Sequence, residues 1–306
     1  MCAARKAIFI FVVAILVIPL FFFIFSQSQY SVRKNLQKIP AEERDCLEWF
    51  LRRAVAGDTL GYVLFGEKPI AVIGFCDPQV QLHWIEDWID HIPRSLYADN
   101  LKMLRGWEVW EKHKDLFPLR NYAFVQSKNF VENDFQALIF INKKAFLKTV
   151  RLYLNDFRAV LGNDVTPELL LREVLQSNDV FSGVFRNHQG LIGTILGYGR
   201  HNAWLFHERE MSHPYMKVRW NRPVKLSARN GRNKQKKICQ LLQPFIDGKS
   251  SDLNMFSLGL PRFVADLHHA ETRNLKREYW DVYQHIMERY KKHDFLEATL
   301  EQMTAE

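Results

Sequence analysis

The longest hydrophobic stretch of the chain lies near its beginning. The run AIFIFVVAILVIPLFFFIF holds 19 uncharged residues from Ala7 to Phe25. As an α-helix it would be roughly 28 Å long, close to the hydrocarbon thickness of a bilayer. Cleavable signal peptides usually have a shorter apolar core of about 7 to 15 residues. We therefore predict a single-pass membrane anchor within residues 1–28 that contacts lipid through residues 7–25. Small residues at Ser26 and Ser28 leave a cleaved signal open as the alternative.

The orientation of this anchor depends on the basic residues at its two ends. Arg5 and Lys6 precede the run, and four basic residues follow it: Arg33, Lys34, Lys38 and Arg44. The positive-inside rule is therefore nearly balanced. The short positive N-terminal tail favours translocation of the body of the protein, and a body that faces the cytoplasm is the alternative.

The helix and strand signals in residues 29–306 predict a single α+β domain. Pro40 suits the first turn of a helix, two acidic residues follow at its positive end, and Gly57 suits its stop. Further on, Asn142 is placed to cap a helix that Gly162 ends, and Thr166-Pro167 opens another. These signals predict a helix-rich body.

Two more helices are predicted in the second half of the chain. Asn178 is placed to cap DVFSGVFRNHQGLIGTIL, which continues into Gly197. Apolar residues spaced by threes and fours predict one continuous helix from Glu271 to Met303.

Two pairs of β-rich runs predict the sheet. LGYVLF and PIAVIGF flank Gly66-Glu67, which can form a two-residue turn, and neither run alternates, so both sheet faces should be covered. NYAFVQSKNF and FQALIFIN form the second pair. The predicted fold class is α+β: an antiparallel sheet built from two hairpins with helices packed on it, plus an N-terminal transmembrane helix and a long C-terminal helix.

Positive charge is concentrated in one segment, residues 217–237. The formal net charge of the chain is +8, and no acidic residue lies between Glu210 and Asp247. Three interpretations stay open: a solvated loop, contact with anionic lipid headgroups or an unknown protein, and nucleic-acid binding. Nucleic-acid binding is the least favoured of the three, because Trp220 alone supplies an aromatic ring for stacking. The basic residues are Lys217, Arg219, Arg222, Lys225, Arg229, Arg232, Lys234, Lys236 and Lys237.

Candidate ligand contacts lie where the predicted glycine-rich helix ends. Leu60-Gly61-Tyr62 recurs as Leu196-Gly197-Tyr198, but the two copies sit in differently patterned surroundings, so they do not indicate a repeat. Gly197 and Gly199 allow an abrupt turn. The turn is followed by polar residues of a kind that bind anionic or polar ligands. We predict a ligand site made of Tyr198, Arg200, His201 and Asn202; an Arg200 paired with a nearby carboxylate is the alternative.

Complete catalytic and metal-binding motifs are missing from the sequence. His207 opens HEREM, which has Met211 where a zinc-protease motif needs its second histidine. The sequence GEK at Gly66 is not a phosphate-binding loop, because Glu67 separates the glycine from the lysine. We therefore predict no metal and no cofactor, and favour a membrane-tethered binding or interaction module. An enzyme with a polar pocket near Gly197–Asn202 is the alternative.

The combination of GYVLFGEKP, a later LGYGRHNA and an N-terminal apolar segment resembles a paralogous group of membrane-anchored proteins of chlamydia-like intracellular bacteria. The resemblance implies an envelope-associated or host-facing bacterial protein. It implies no particular chemistry.

Overall fold

A computed structural model describes residues 31–76, 94–128, 135–212, 258, 260, 261, 263 and 265–305. The predicted anchor and the basic segment lie outside these residues. Within them, no helix is both long and apolar enough to cross a membrane.

The described part of the chain is α+β. Its three strands are β1 (Ile70–Cys76), β2 (Tyr122–Lys128) and β3 (Phe135–Asn142). Its helices are α1 (Ala41–Gly57), α2 (Leu60–Leu64), α3 (Arg94–His113), α4 (Lys143–Leu152), α5 (Leu154–Leu161), α6 (Pro167–Gln176), α7 (Gln189–Ile195), α8 (Arg200–Ser212), α9 (Ala270–Lys292) and α10 (Phe295–Thr304).

The strands form one antiparallel sheet in the order β1-β3-β2. Ile139 at the centre of β3 pairs with Val72 on one side and with Val125 on the other. The pairing of β2 with β3 confirms the second predicted hairpin.

The first predicted hairpin is wrong. Leu60–Leu64 is the short helix α2, and β1 pairs with β3 instead. All five residues of α2 are buried. A short run that is apolar on every side has no periodicity with which to distinguish a buried helix from a buried strand, so the β-rich composition was misleading.

Both faces of the sheet are covered by helices, as the non-alternating runs predicted. Leu138 and Phe140 of β3 face a first core shared with α1, α2, α3, α9 and α10. Ile139 and Ile141 face a second core formed with α4, α5, α6 and α7. Successive strand residues point to opposite faces, so one strand supplies both cores. A fully buried Leu, Ile or Phe contributes about 1.5–3 kcal/mol.

Two predicted helix caps are confirmed. The side chain of Asn142 accepts a hydrogen bond from the Ala145 amide, and that of Thr166 accepts one from the Leu169 amide. The helix that Asn142 begins is interrupted at Tyr153, which separates α4 from α5.

The predicted continuous helix from Asn178 to Gly197 is wrong. Asp179, not Asn178, caps a single π-helical turn at Val180–Val184. Arg186 and Asn187 then take left-handed backbone angles (φ 52° and 55°), and His188 caps α7. Two left-handed residues in succession cannot belong to a right-handed helix, and they redirect the chain.

The predicted continuous C-terminal helix is also wrong. It is interrupted at His293, and Asp294 caps α10 by accepting a hydrogen bond from the Glu297 amide. An acceptor followed three residues later by Glu is the signature of a new helix start. Tyr279 and Ile286 of α9 are buried in the first core, so this helix packs against its own domain.

Helices α1 and α3 approach closely at Gly106, and this contact generates a prediction. A Cβ atom at Gly106 would lie 2.3 Å from Phe50 Cβ and 2.8 Å from the Cys46 carbonyl oxygen. We expect Gly106→Ala to lower the free energy of unfolding by about 1–3 kcal/mol, because overpacking forces the two helices apart.

Urea denaturation of the full chain in neutral detergent measures this loss. Gly183→Ala is the matched control, because its nearest neighbours would lie 3.6 Å away or more. We expect the control to stay within about 0.5 kcal/mol of the parent protein. Equal stability of the Gly106 variant and the control would contradict the helix contact.

Candidate functional site

The predicted site begins at a turn that only glycine fits. Gly197 and Gly199 have φ angles of 77° and 82°. The Tyr279 hydroxyl donates a hydrogen bond of 2.5 Å to the Gly197 carbonyl oxygen. A Cβ atom at Gly197 would lie 2.6 Å from that same hydroxyl oxygen. Backbone angle and lack of space therefore both require glycine here.

Lys68 and Tyr279 link the surroundings of the two Leu-Gly-Tyr stretches at this turn. Lys68, which follows the first stretch, donates a hydrogen bond to the Leu196 carbonyl oxygen, and its Nζ lies 5.4 Å from the Tyr198 ring centroid. The rings of Tyr62 and Tyr279 meet edge to face with centroids 5.4 Å apart. The two stretches are not copies of one unit, and the first lies in a helix rather than the predicted strand.

Lys68 carries an amine into the protein interior. The residue is 3% exposed, and burial lowers the pKa of its amine to about 7. No carboxylate forms an ion pair with it among the residues that the structure describes. Burial also raises the pKa of Tyr198 to about 12. Both groups are therefore held in their uncharged forms at pH values above neutrality and below the tyrosine pKa. Sequence analysis missed Lys68, because nothing in the sequence signals that it is buried.

Arg200 forms an ion pair with another residue of the chain, and its side chain is 47% exposed. Its Nε and Nη2 lie 2.5 Å and 2.9 Å from the two carboxylate oxygens of Asp156 in α5. Its guanidinium also lies 5.6 Å from the Trp204 ring centroid. The arrangement corresponds to the alternative interpretation of Arg200 as the partner of a carboxylate.

A carboxylate of the chain itself caps the N-terminus of α8. Glu271 Oε2 accepts a hydrogen bond of 2.7 Å from the His201 amide, and Oε1 accepts one of 3.0 Å from the Arg200 amide. Oε1 also accepts a hydrogen bond from the Tyr153 hydroxyl. The free amides at a helix N-terminus attract anions. Glu271 therefore lies where an anionic ligand of these amides would bind.

Asn202 is buried, and its side chain bonds the turn and the start of α9 instead of capping α8. It is 1% exposed, and its amide nitrogen donates to the Tyr198 carbonyl oxygen. Its side-chain oxygen accepts from the Asp266 amide and from the Thr272 hydroxyl. These bonds join the turn to the start of α9. That Tyr198, Arg200, His201 and Asn202 contact a ligand stays a prediction.

Histidine rings stack in pairs on two sides of α8. The rings of His201 and His269 lie 3.7 Å apart, and His201 Nε2 lies 3.4 Å from an Asp266 carboxylate oxygen. The rings of His188 and His207 lie 3.9 Å apart. Burial, and then the charge of its partner, lower the pKa of His188. Within the described ranges, no three His, Cys, Asp or Glu side chains are placed to hold a metal ion.

A groove lies between α5, α6 and the π-helical turn at Val180–Val184. Its lining residues, from Leu161 to Arg186, precede the predicted site in the sequence. Its volume is about 500 Å³. Leu161, Val165, Leu169 and Val184 supply apolar lining. All four are buried or half-buried, so they form the floor of the groove.

Three charged side chains line the same groove. Asp164 and Glu173 are exposed carboxylates. Arg186 lines it too, but its guanidinium donates hydrogen bonds of 2.9 Å and 3.0 Å to the carbonyl oxygens of Val160 and Leu161 at the end of α5. The negative end of α5 therefore offsets the positive charge of Arg186, and the groove keeps the two negative charges of Asp164 and Glu173. No sequence pattern indicates this groove, because it depends on the left-handed bend at Arg186 and Asn187.

Comparison with known proteins adds no assignment. No protein-family model matches the chain, and no curated protein or solved structure matches it. The resemblance to membrane-anchored proteins of chlamydia-like bacteria stays a prediction.

The buried amine of Lys68 generates a prediction about pH. In the unfolded chain a lysine keeps its proton below about pH 10.4, whereas folded Lys68 loses it above about 7. The unfolded state therefore binds more protons between these values, and this group destabilises the folded protein as the pH falls from about 10 to 7. We compare the free energies of unfolding as the value for Lys68→Met minus the value for the parent. We expect this difference to increase by at least about 2 kcal/mol as the pH falls from about 10 to 7.

Denaturant titrations of both proteins at a series of pH values give this difference. Lys148→Met is the matched control, since the Lys148 side chain is 69% exposed and paired with Glu67. Its difference from the parent should change little with pH, as expected for an exposed pair. A difference for Lys68→Met that is equally flat would show that Lys68 stays charged in the folded protein.

Proposed function

We propose that this chain is a membrane-tethered binding module that holds a basic, partly apolar peptide segment in the groove between α5 and α6. The observation that carries the proposal is the composition of this groove: an apolar floor beside the exposed carboxylates of Asp164 and Glu173. A leucine-like side chain fits the floor, and an arginine or lysine of the same segment would reach a carboxylate.

The backbone around the groove supports this proposal. Arg186 and Asn187 hold left-handed angles that cost free energy in residues other than glycine. The guanidinium of Arg186 holds the bend in place by bonding the end of α5. The groove is therefore preformed, and little ordering is needed when a ligand binds.

An enzyme with its pocket near Gly197–Asn202 is the second candidate. The uncharged amine of Lys68 beside Tyr198 favours it, because such an amine is a nucleophile near neutral pH. Lys68 is only 3% exposed, however, and Arg200 and Asn202 are bonded within the protein. A substrate would reach the amine only if the corner opened, so we favour the binding module.

The tether rests on the apolar run of residues 7–25. A domain held at a membrane and translocated across it would meet other proteins of an envelope or of a host cell. Contact of the basic segment, residues 217–237, with anionic lipid headgroups would add to the same attachment. A domain facing the cytoplasm would meet the same lipid chemistry on the inner leaflet.

The tether predicts that the full chain stays with membranes after washing with alkaline carbonate, because a spanning helix is released only by detergent. Immunoblotting of the pellet and supernatant, with N-terminal sequencing of the pelleted protein, gives the answer. A mature protein that begins at Gln29 and is found in the supernatant would contradict the anchor.

The groove predicts binding of a short fluorescein-labelled peptide of alternating leucine and arginine. We expect Asp164→Asn combined with Glu173→Gln to raise the Kd of this peptide about tenfold or more, a loss of about 1.4 kcal/mol. Fluorescence anisotropy with the full chain in neutral detergent measures this affinity.

Glu168→Gln provides the matched control. Glu168 is an exposed carboxylate at the start of the same helix, but it is paired with Arg151 and does not line the groove. We expect its Kd to equal that of the parent. The groove variant removes two charges and Glu168→Gln removes one. A loss of binding free energy from Glu168→Gln about half as large as that from the groove variant would mean that the peptide responds only to net charge, and the groove proposal would fail.

A further inference from the structure

Helix α9 presents the ring of Trp280 to the outside, stacked on the half-buried ring of Tyr283. Trp280 is 51% exposed, although tryptophan is usually well covered in a folded domain. Its ring stacks on that of Tyr283 one turn later, with centroids 5.3 Å apart and planes at 16°. The opposite side of the helix carries Tyr279 and Ile286 into the first core. Trp280 is therefore exposed on a helix whose other side is buried, and its partner Tyr283 also packs against the first core.

Basic residues surround this pair without acidic ones among them. At about 100° per residue, the side chains within about 60° of Trp280 on the helical wheel form what we call the outer face of α9. Asp281 and Glu288 lie further round, at about 80–100°, and Glu271 and Glu278 lie on the far side. The outer face consists of Arg273, Lys276, Arg277, Trp280, Tyr283, Gln284, Met287 and Lys291.

The positive charges of this face have no carboxylate partner within the described residues. No ion pair joins Lys276, Arg277 or Lys291 to a carboxylate in the part of the chain that the structure describes. Arg273 donates a hydrogen bond to the His268 carbonyl oxygen, which leaves its charge without a carboxylate partner. Charge complementarity therefore favours an anionic partner.

The position of the anchor suggests which anionic partner this is. Ser31 begins the described structure six residues after the apolar run, a distance of at most about 20 Å. Two residues further on, Arg33 Nη2 lies 3.0 Å from Glu297 in the helix that follows α9. A bilayer holding residues 7–25 therefore lies within reach of the end of α9 that carries Lys291.

We propose that the outer face of α9 lies on an anionic lipid surface, with Trp280 and Tyr283 at the level of the headgroups. This inference rests on the tether of the proposed function and is independent of the groove. Tryptophan and tyrosine rings favour the membrane–water interface, because one end is apolar and the other polar. Basic residues near the surface are attracted by acidic headgroups.

Hydroxyl-radical footprinting of the full chain in vesicles tests the proposal. Phosphatidylcholine vesicles are compared with vesicles that also contain phosphatidylglycerol, and mass spectrometry gives the oxidation rate of Trp280. We expect Trp280 to be oxidised at least about threefold more slowly in the anionic vesicles, and added salt should reduce this protection by screening. Leu152, 68% exposed on α4, is the internal reference and should react equally in both.

A pair of charge reversals separates local contact from net charge. Lys276→Glu with Arg277→Glu should restore the oxidation rate of Trp280 to its value in neutral vesicles. Lys144→Glu with Arg172→Glu makes the same change of charge at exposed positions of α4 and α6, and should leave the protection intact. Circular dichroism confirms that both variants are folded.

Three outcomes would overturn the inference. Equal oxidation of Trp280 in both vesicles, with the chain still resistant to alkaline extraction, would refute the contact while leaving the tether in place. Release of the chain by extraction would remove the tether and the contact with it. Protection of Trp280 by a single-stranded oligonucleotide and not by lipid would replace the lipid surface with nucleic acid.

Discussion

The turn at Gly197–Gly199 joins the two hydrophobic cores, because groups from distant parts of the chain bond its carbonyl oxygens. Tyr279 of α9 donates to Gly197, and Lys68, just before β1, donates to Leu196. Leu196 packs against the second core and Tyr198 against the first. Since the sheet separates the two cores, a contact that spans them fixes how the helices on one face sit relative to those on the other.

The same junction explains why the predicted ligand residues make so many contacts within the protein. Glu271 satisfies the first amides of α8, Asp156 satisfies Arg200, and Asn202 joins the turn to α9. Buried polar groups are costly when unpaired, and the buried side chain of Asn202 has hydrogen-bond partners for both its nitrogen and its oxygen. Lys68 differs from these residues, because its amine loses its charge instead of pairing with a carboxylate.

Surfaces that could meet other molecules lie away from this junction. The groove beside Arg186 lies outside the second core. Trp280 and the basic residues of the outer face of α9 are exposed, whereas Tyr283 and Met287 of that face also pack against the first core. One surface carries carboxylates and the other carries basic and aromatic residues, so each suits a different chemistry. The proposed binding module would use one of these surfaces for the membrane and the other for its partner.

The sequence by itself determined the features that depend on neighbouring residues. The caps at Asn142 and Thr166, the bounds of α1 and the pairing of β2 with β3 all follow from patterns a few residues long. The Asp294–Glu297 cap also had a local signal, which the longer heptad-like spacing obscured. Tertiary structure alone decided the rest. Leu60–Leu64 is a helix that its surroundings bury on every side, and β1 pairs with a strand about 65 residues away. Lys68 and Glu271 gain their roles from partners more than 65 residues distant. Such contacts depend on how the two cores close around the sheet, and no local pattern encodes that closure.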